Sequence, residues 1–370
     1  MNPQPNEVFA VLDARFPFAS AYDWDNSGWQ VTGARPVERC LVALDPSPAA
    51  IERAIGWDAQ LIVTHHPLFF PNLQFVDAGS ERGVILRVLL ERGIGLIAAH
   101  TNADRHPKGI SGALADTLEL DEQTVLVADT EAPYYKLITF IPDDDLAAVR
   151  RALTAAGAGV IGNYAECSFS LAGIGTYMPQ KGAKPLSGEI GKLEEAAEQR
   201  LEMRVPERRV GEVLAALKQA HPYDEVAYDL YRTHHQGEYL GIGIVGTWPA
   251  GVELKEALGR VKKALGGVPL RVTGPEEGLV ATVAVVGGSA DDFVPAAVAR
   301  GADLFVGGDL KYHNRQEAAS HMVCVDAGHR ATEQPGVVRL AETIRSAAAS
   351  SHWDLEVEVF QETPSPERIV

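Results

Sequence analysis

Short apolar runs alternate with amphipathic stretches along most of the chain, and the alternation repeats. Leu41–His66 (LVALDPSPAAIERAIGWDAQLIVTHH) runs from a strand-like apolar segment through a small-residue turn and a helix-like stretch to a second apolar strand. Val283–Gly308 (VAVVGGSADDFVPAAVARGADLFVGG) follows the same order, roughly 240 positions later, and each stretch predicts a βαβ unit. Both continue alike. Gly83–Leu90 predicts a helix before a strand ending at His100, and Asn314–Ser320 predicts a helix before a strand ending at His329. The outer segments, 1–129 and 234–370, are therefore expected to be related halves of one α/β domain.

The middle of the chain carries a different repeat. Lys136–Gly157 and Arg200–His221 each read as strand, proline and amphipathic helix, with Pro142 and Pro206 where a helix begins. Proline suits a first helical turn because its missing N–H has no partner there anyway. Each helix leads to a further strand, Ala165–Tyr177 and Val226–Tyr231. The result is a βαβ–βαβ pattern with an antiparallel sheet, a ferredoxin-like α+β module inserted at about 130–233. His234-His235 follows among polar residues and reads as loop, before Gly237–Gly246 returns to the outer domain.

Composition narrows the function classes. The 370 residues are 46% hydrophobic and 22% charged, as in ordinary globular proteins. The net charge of −17 disfavours a phosphate-backbone binder, and no Lys/Arg run exceeds two. Three cysteines without a CxxC argue against a disulfide framework or a thiolate zinc site, and Cys40 and Cys324 read as core thiols. No segment resembles a signal peptide or a membrane span, so a cytoplasmic protein is expected.

The ionisable residues gather at strand ends. Leu61–Thr64 ends at His65-His66. Ile97–Ala99 ends at His100, with Asp104 beyond. Leu304–Val306 runs into Gly307-Gly308-Asp309-Leu310-Lys311-Tyr312-His313. Val323–Val325 runs into Asp326-Ala327-Gly328-His329, with Glu333 beyond. The carboxyl ends of parallel strands share one edge, and that edge holds ligands. Topology alone can thus bring together His65, His66, His100, Asp104, His313, His329 and Glu333. Imidazole and carboxylate suit zinc, iron or manganese. His329 and Glu333, four apart, share a face if Gly328 opens a helix. An HH pair by itself is commonly incidental; four strand ends that all carry His, Asp or Glu are not. The glycine-rich GGSADD at 287–292 lacks the Lys-Ser/Thr of a P-loop and predicts a tight strand–helix turn.

On these motifs the sequence resembles the dinuclear-metal-centre hexameric proteins, the NIF-three-like family also described as GTP cyclohydrolase I type 2 homologues. The matching stretches are WDNSGWQVTG (24–33), THHPLFF (64–70), AAHTNAD (98–104), GGDLKYH (307–313) and DAGHRATE (326–333). The insert, with GAGVIGNYAECSFSLAGIGTY (157–177) and AHPYDEVAYDLY (220–231), is similar to the PII/CutA-like middle domain of longer bacterial members. The resemblance implies two divalent metal ions per subunit, of zinc, iron or manganese, held by His65, His66, Asp104, His329 and Glu333. His100, His313 and Lys311 are the implied acid–base or phosphate-facing residues, and Asp309, Asp25 and Asn26 are expected behind the ligands. A homohexamer acting on a small molecule is implied, with the insert capping its openings.

Two such ions would activate water near neutral pH. The expected function is a metal-dependent hydrolase of a small phosphorylated or nucleotide-like substrate. The alternative is a non-enzymatic metal-dependent sensor or regulatory ring.

Overall fold

The structure is a computed structural model. It describes residues 1–71, 75–161 and 164–361, with the backbone alone at 129–133, 208 and 234–239. The chain divides into two compact units: Met1–Asp129 with Leu240–Val370, and Thr130–Tyr239.

The first unit opens with α1 (Pro5–Arg15), β1 (Gly28–Val31), β2 (Arg39–Ala43), α2 (Pro48–Gly56) and β3 (Leu61–Thr64). It continues with α3 (Glu81–Arg92), β4 (Gly95–Ala98), α4 (Thr101–Asp104) and α5 (Ile110–Thr117). β5 (Asp121–Ile141) carries the chain into the second unit, which holds α6 (Leu146–Ala155), β6 (Ser168–Tyr177), β7 (Glu194–Pro206) and α7 (Val210–Ala220). β8 (Tyr228–Glu253) carries it back to α8 (Leu254–Ala264), β9 (Arg271–Thr273), β10 (Leu279–Ser289) and α9 (Val294–Ala299). The chain ends through β11 (Leu304–Gly308), α10 (Tyr312–Ala318), β12 (Val323–Asp326), α11 (His329–Ser350) and β13 (Glu356–Val359). Eleven α-helices and several sheets among the described residues make this a mixed α/β fold.

In the first unit, β2, β3, β4 and β13 form a parallel sheet in the order β1-β4-β3-β2-β13, with β1 antiparallel on one edge. β10, β11 and β12 form the parallel centre of another sheet, flanked by antiparallel β8 and β9. Parallel strands covered on both faces read as unbroken apolar runs, and these do. On the first sheet Cys40, Val42, Leu61, Val63 and Ile97 pack toward α1 and α11. The alternate residues Leu41, Ile62 and Leu96 pack toward α2 and α3. On the other sheet Val283, Val285, Leu304, Val306, Val323 and Val325 face α5 and α8. Ala284, Val286, Phe305 and Cys324 face α9 and its neighbours.

The two βαβ units predicted from the sequence are present, but they do not share one parallel sheet. β1 and β13 occupy the edges of the first sheet, and β8 and β9 flank the other. Neither three-strand centre has a free edge to offer its counterpart.

The second unit has its own core, with Leu137, Ile141, Val149, Leu153, Leu201, Met203, Val205, Val213 and Leu217 buried together. Its strands run in the order β6-β7-β5-β8, and the β6–β7 and β7–β5 pairs are antiparallel. His234 and His235 do not form a loop; they fall within the span of β8, while their side chains lie outside the described residues. A strand without an alternating apolar face gives no period-2 signal by which to read it.

Candidate metal centre

The site is assembled from chain ends that two sheets and one helix bring together. β3 ends at Thr64, so His65 and His66 leave the strand side by side. His100 caps α4 just beyond β4, and Asp104 closes that helix. Gly328, at φ 86°, turns the chain out of β12 into α11, whose first residue is His329. Glu333 lies one helical turn on and faces the same way.

Glu333 is the hub. It is buried, with Oε1 3.1 Å from His329 Nε2 and 3.5 Å from His65 Nε2. Its Oε2 lies 3.2 Å from His66 Nε2. Asp104 Oδ1 adds a carboxylate 3.6 Å from His65 Nε2. Ligand atoms of His66, His329 and Glu333 lie within 4.8 Å of one another, and so do those of His65, His66 and His100.

Each imidazole is latched through Nδ1 by a different acceptor. His65 Nδ1 meets Ala99 O at 2.8 Å, and His66 Nδ1 meets Asp45 Oδ1 at 2.7 Å. His100 Nδ1 meets Asp25 Oδ1 at 2.6 Å, and His329 Nδ1 meets Asp309 Oδ2 at 2.7 Å. An acceptor on one ring nitrogen fixes the tautomer and leaves the other nitrogen as a lone-pair donor, which is how proteins prepare histidines for metals. Asp25 is itself held by Thr101 and Ser27.

The electrostatics are those of a site short of positive charge. Burial opposes a charged His66, but Asp45 and Glu333 outweigh it and lift this residue to about 10. The hydrogen bond to Glu333, with Asp309 behind, lifts His329 to about 9 against burial. His65 is raised too, because Asp104 and Glu333 overcome its complete burial. Burial alone would raise Glu333, yet the surrounding histidines hold it well below the usual carboxylate range. Asp104 is raised, chiefly by burial. Two buried atoms, His65 Nε2 and Glu333 Oε2, have only the ion-pair contacts given above and no well-aligned hydrogen bond. Such orphans are costly unless something else satisfies them. Nitrogen and carboxylate donors, converging and unsatisfied, fit a divalent cation.

The glycines of β10 make room for the hub. Gly288 has φ 72°, and a Cβ there would stand 2.2 Å from Glu333 Oε1. Its N–H donates to Thr332 Oγ1 at 3.0 Å, which docks the strand against the first turn of α11. Gly308, on β11, would bring a Cβ within 2.6 Å of His329 N.

Of the residues singled out from sequence, His65, His66, His100, Asp104, His329 and Glu333 come together, with Asp25 and Asp309 behind them. Asn26 is placed differently. Its Nδ2 donates to Phe69 O at 2.9 Å and so pins the loop after His66. Lys311 turns to Asp291, with Nζ 3.3 Å from Oδ2. His313 is exposed against the ring of Tyr312. Neither shares a hydrogen bond, ion pair or ring contact with the cluster among the described residues. Asp45 escaped the sequence reading, although it lies just beyond β2 on the edge that carries His65; its setting, LDPSP, reads as a turn. Asp309 also lines a cavity of about 1160 Å³ with Gly328 and Arg330, and none of the four histidines lines it.

The sequence pattern of the Duf34/NIF3 (NGG1p interacting factor 3) family matches residues 3–366. The chain belongs to the Duf34/NIF3 family. A "GTP cyclohydrolase 1 type 2 homolog" of Halalkalibacterium halodurans is 38% identical over 352 residues, covering 95% of this chain and 94% of that one. The protein of the same name in Bacillus subtilis is 36% identical over 337 residues, 90% of each chain. The crystal structure of a Bacillus cereus protein related to NIF3 superposes over 100% of both chains with a TM-score of 0.86 at 32% identity. The Duf34/NIF3 assignment thus spans both units, and the histidine–carboxylate cluster lies wholly within the first.

Proposed function

We propose that the cluster holds two divalent metal ions, of zinc, iron or manganese, and that the protein is a metal-dependent hydrolase of a small phosphorylated or nucleotide-like molecule. The observation that carries this reading is the set of four imidazoles, each latched through Nδ1, three of which meet one buried glutamate. A structural histidine needs no such uniform arrangement. His65, His66, Asp104, His329 and Glu333 are the residues that would hold the ions. When bound, such ions would supply Lewis acidity and make water nucleophilic near neutral pH. Asp25 fixes the His100 ring beside the ligand set, where its outer nitrogen is placed to move a proton. Glu333, held well below the usual carboxylate range, would meet the ions as a carboxylate. The name carried by the relatives is compatible, since hydrolytic opening of a purine ring needs water at an electrophilic ring carbon.

The reading extends to assembly. β6 is an edge strand whose Phe169, Leu171 and Ile174 are 60%, 58% and 73% exposed. Long apolar edges are a liability that proteins cover. A second copy of this chain is the proposed cover, within a homohexamer, and the strand order of the second unit supports a PII/CutA-like module.

The test is a screen of phosphorylated metabolites and nucleotides with protein loaded with each metal, alongside chelated protein and His65→Ala. Turnover should require metal and vanish in the variant. Turnover that survives metal removal would sink the hydrolase, while bound metal without turnover on any compound would favour a sensor. Light scattering should return six chain masses; a stable monomer would overturn the assembly.

A further inference from the structure

Three consecutive residues of the chain, Trp24, Asp25 and Asn26, have three different placements. The Asp25 side chain is fully buried and orients His100, and Asn26 pins the loop carrying Phe70. Gln30 holds the same loop, its Oε1 accepting from Phe69 N at 3.2 Å. Trp24 is 59% exposed and Phe70 is 39% exposed. Large aromatics left open beside a buried polar cluster are unusual, since burying them is strongly favourable.

These rings are ordered in layers. The Arg105 guanidinium lies 4.6 Å from the centroid of Tyr22. Tyr22 stacks on Trp24, with centroids 5.5 Å apart and planes 17° apart. Among the described residues Trp24 is the outermost layer of this stack. Phe70 stands against it at 5.9 Å and 65°, forming an open corner. Phe70 also meets the His100 ring, at 6.0 Å and 69°. The corner therefore leads onto the histidine cluster within one ring diameter. Its backing is rigid, because Tyr22 N donates to Thr101 Oγ1 and Thr101 is tied to Asp25.

We infer that Trp24 and Phe70 form a stacking platform for a planar heteroaromatic ring, which makes the substrate a ring compound rather than a sugar phosphate. A stack of flat groups ending in an exposed indole is extended by one more flat group, and the perpendicular Phe70 edge sets where that group stops. Stacking tolerates any ring with a π-face, so the platform selects planarity and leaves substituents to other contacts. A ring seated there places one edge beside His100. The inference rests on the cluster being the reaction site, but recognition of the ring itself requires no metal.

The test uses full-length protein, metal-loaded and metal-free, as wild type, Trp24→Ala, Trp24→Phe and Phe70→Leu. Guanosine supplies a ring without phosphate, and ribose 5-phosphate supplies phosphate without the ring. Binding is followed by calorimetry and by quenching of indole fluorescence, metal by elemental analysis, and mass by light scattering. Guanosine should bind the wild type and quench its fluorescence. Trp24→Ala should weaken guanosine binding roughly tenfold or more, Phe70→Leu should weaken it less, and Trp24→Phe should retain most of it. Metal content and mass should be unchanged throughout. Guanosine binding that is absent, or indifferent to Trp24→Ala, overturns the platform. So does ribose 5-phosphate binding as well as guanosine, or a Trp24→Ala protein of reduced mass, which would make the corner a contact between copies. A wild type that takes up no metal sinks the hydrolase reading alone, because guanosine binding sensitive to Trp24 would persist in metal-free protein.

Discussion

Asp45 does for His66 what Asp25 and Asp309 do for His100 and His329, and it touches nothing else in the cluster. Removing such an orienting carboxylate weakens metal sites about 10- to 100-fold. Asp45→Ala should therefore lower metal affinity by that factor in competition with a chelator, whereas Glu333→Gln, which alters the hub itself, should abolish stoichiometric uptake. The cluster histidines were legible in the sequence because an HH pair and a GHxxxE spacing stand out against apolar strands. Asp45 was not, because an aspartate before proline is ordinary turn chemistry. Lys311 and His313, expected near the ligands, share no hydrogen bond, ion pair or ring contact with the cluster among the described residues. Asp309 directly follows β11 and adopts φ 55°, so the chain turns there before reaching Lys311 and His313. Another residue makes a separate prediction. His221 Nε2 donates to Phe140 O at 3.0 Å, while Tyr223 N donates to its Nδ1 at 3.1 Å, so the ring is clamped neutral. Burial depresses its proton affinity, partly offset by the Phe140 carbonyl. The unfolded chain thus takes up a proton first as the pH falls. The second unit should keep its full stability above about pH 6.5 and lose some below it. Thermal melts at pH 7.5 and 5 should differ less for His221→Gln than for wild type.

At the scale of elements, β10 shows how a strand can serve a site without contributing a ligand. Gly288 leaves the space that Glu333 fills, and a methyl group there meets Oε1 before it meets anything else. Gly288→Ala should be modestly destabilising, since alanine at positive φ is strained. Its larger effect should be on metal content, measured on the folded variant; full metal occupancy would show that Glu333 can retreat. Phe305 gives the contrasting case. It is fully buried within β11, and Phe305→Ala should cost about 3–5 kcal/mol in denaturant unfolding without involving the site directly. The βαβ units were readable because their strands are buried on both faces and their helices are amphipathic. What decided the sheet partition was pairing by β9 and β13, and segments of three or four residues leave too faint a pattern to place.

For the molecule as a whole, every residue of the cluster belongs to the unit made of Met1–Asp129 and Leu240–Val370, and the other unit has a complete core of its own. Excising Thr130–Tyr239 and joining the flanks should leave metal stoichiometry unchanged in a folded product; its loss would show that the second unit helps to build the site. The position of Glu333 has a further consequence, in time. The ribosome delivers His65, His66, His100 and Asp104 first, and the glutamate that serves as their hub only 229 residues after Asp104. At about 5–20 residues per second, the interval is roughly 11–46 s, during which the second unit is synthesised and free to fold. A chain that stops short of Glu333 holds three imidazoles and one carboxylate without their hub, so the cluster assembles only after the second unit has been made.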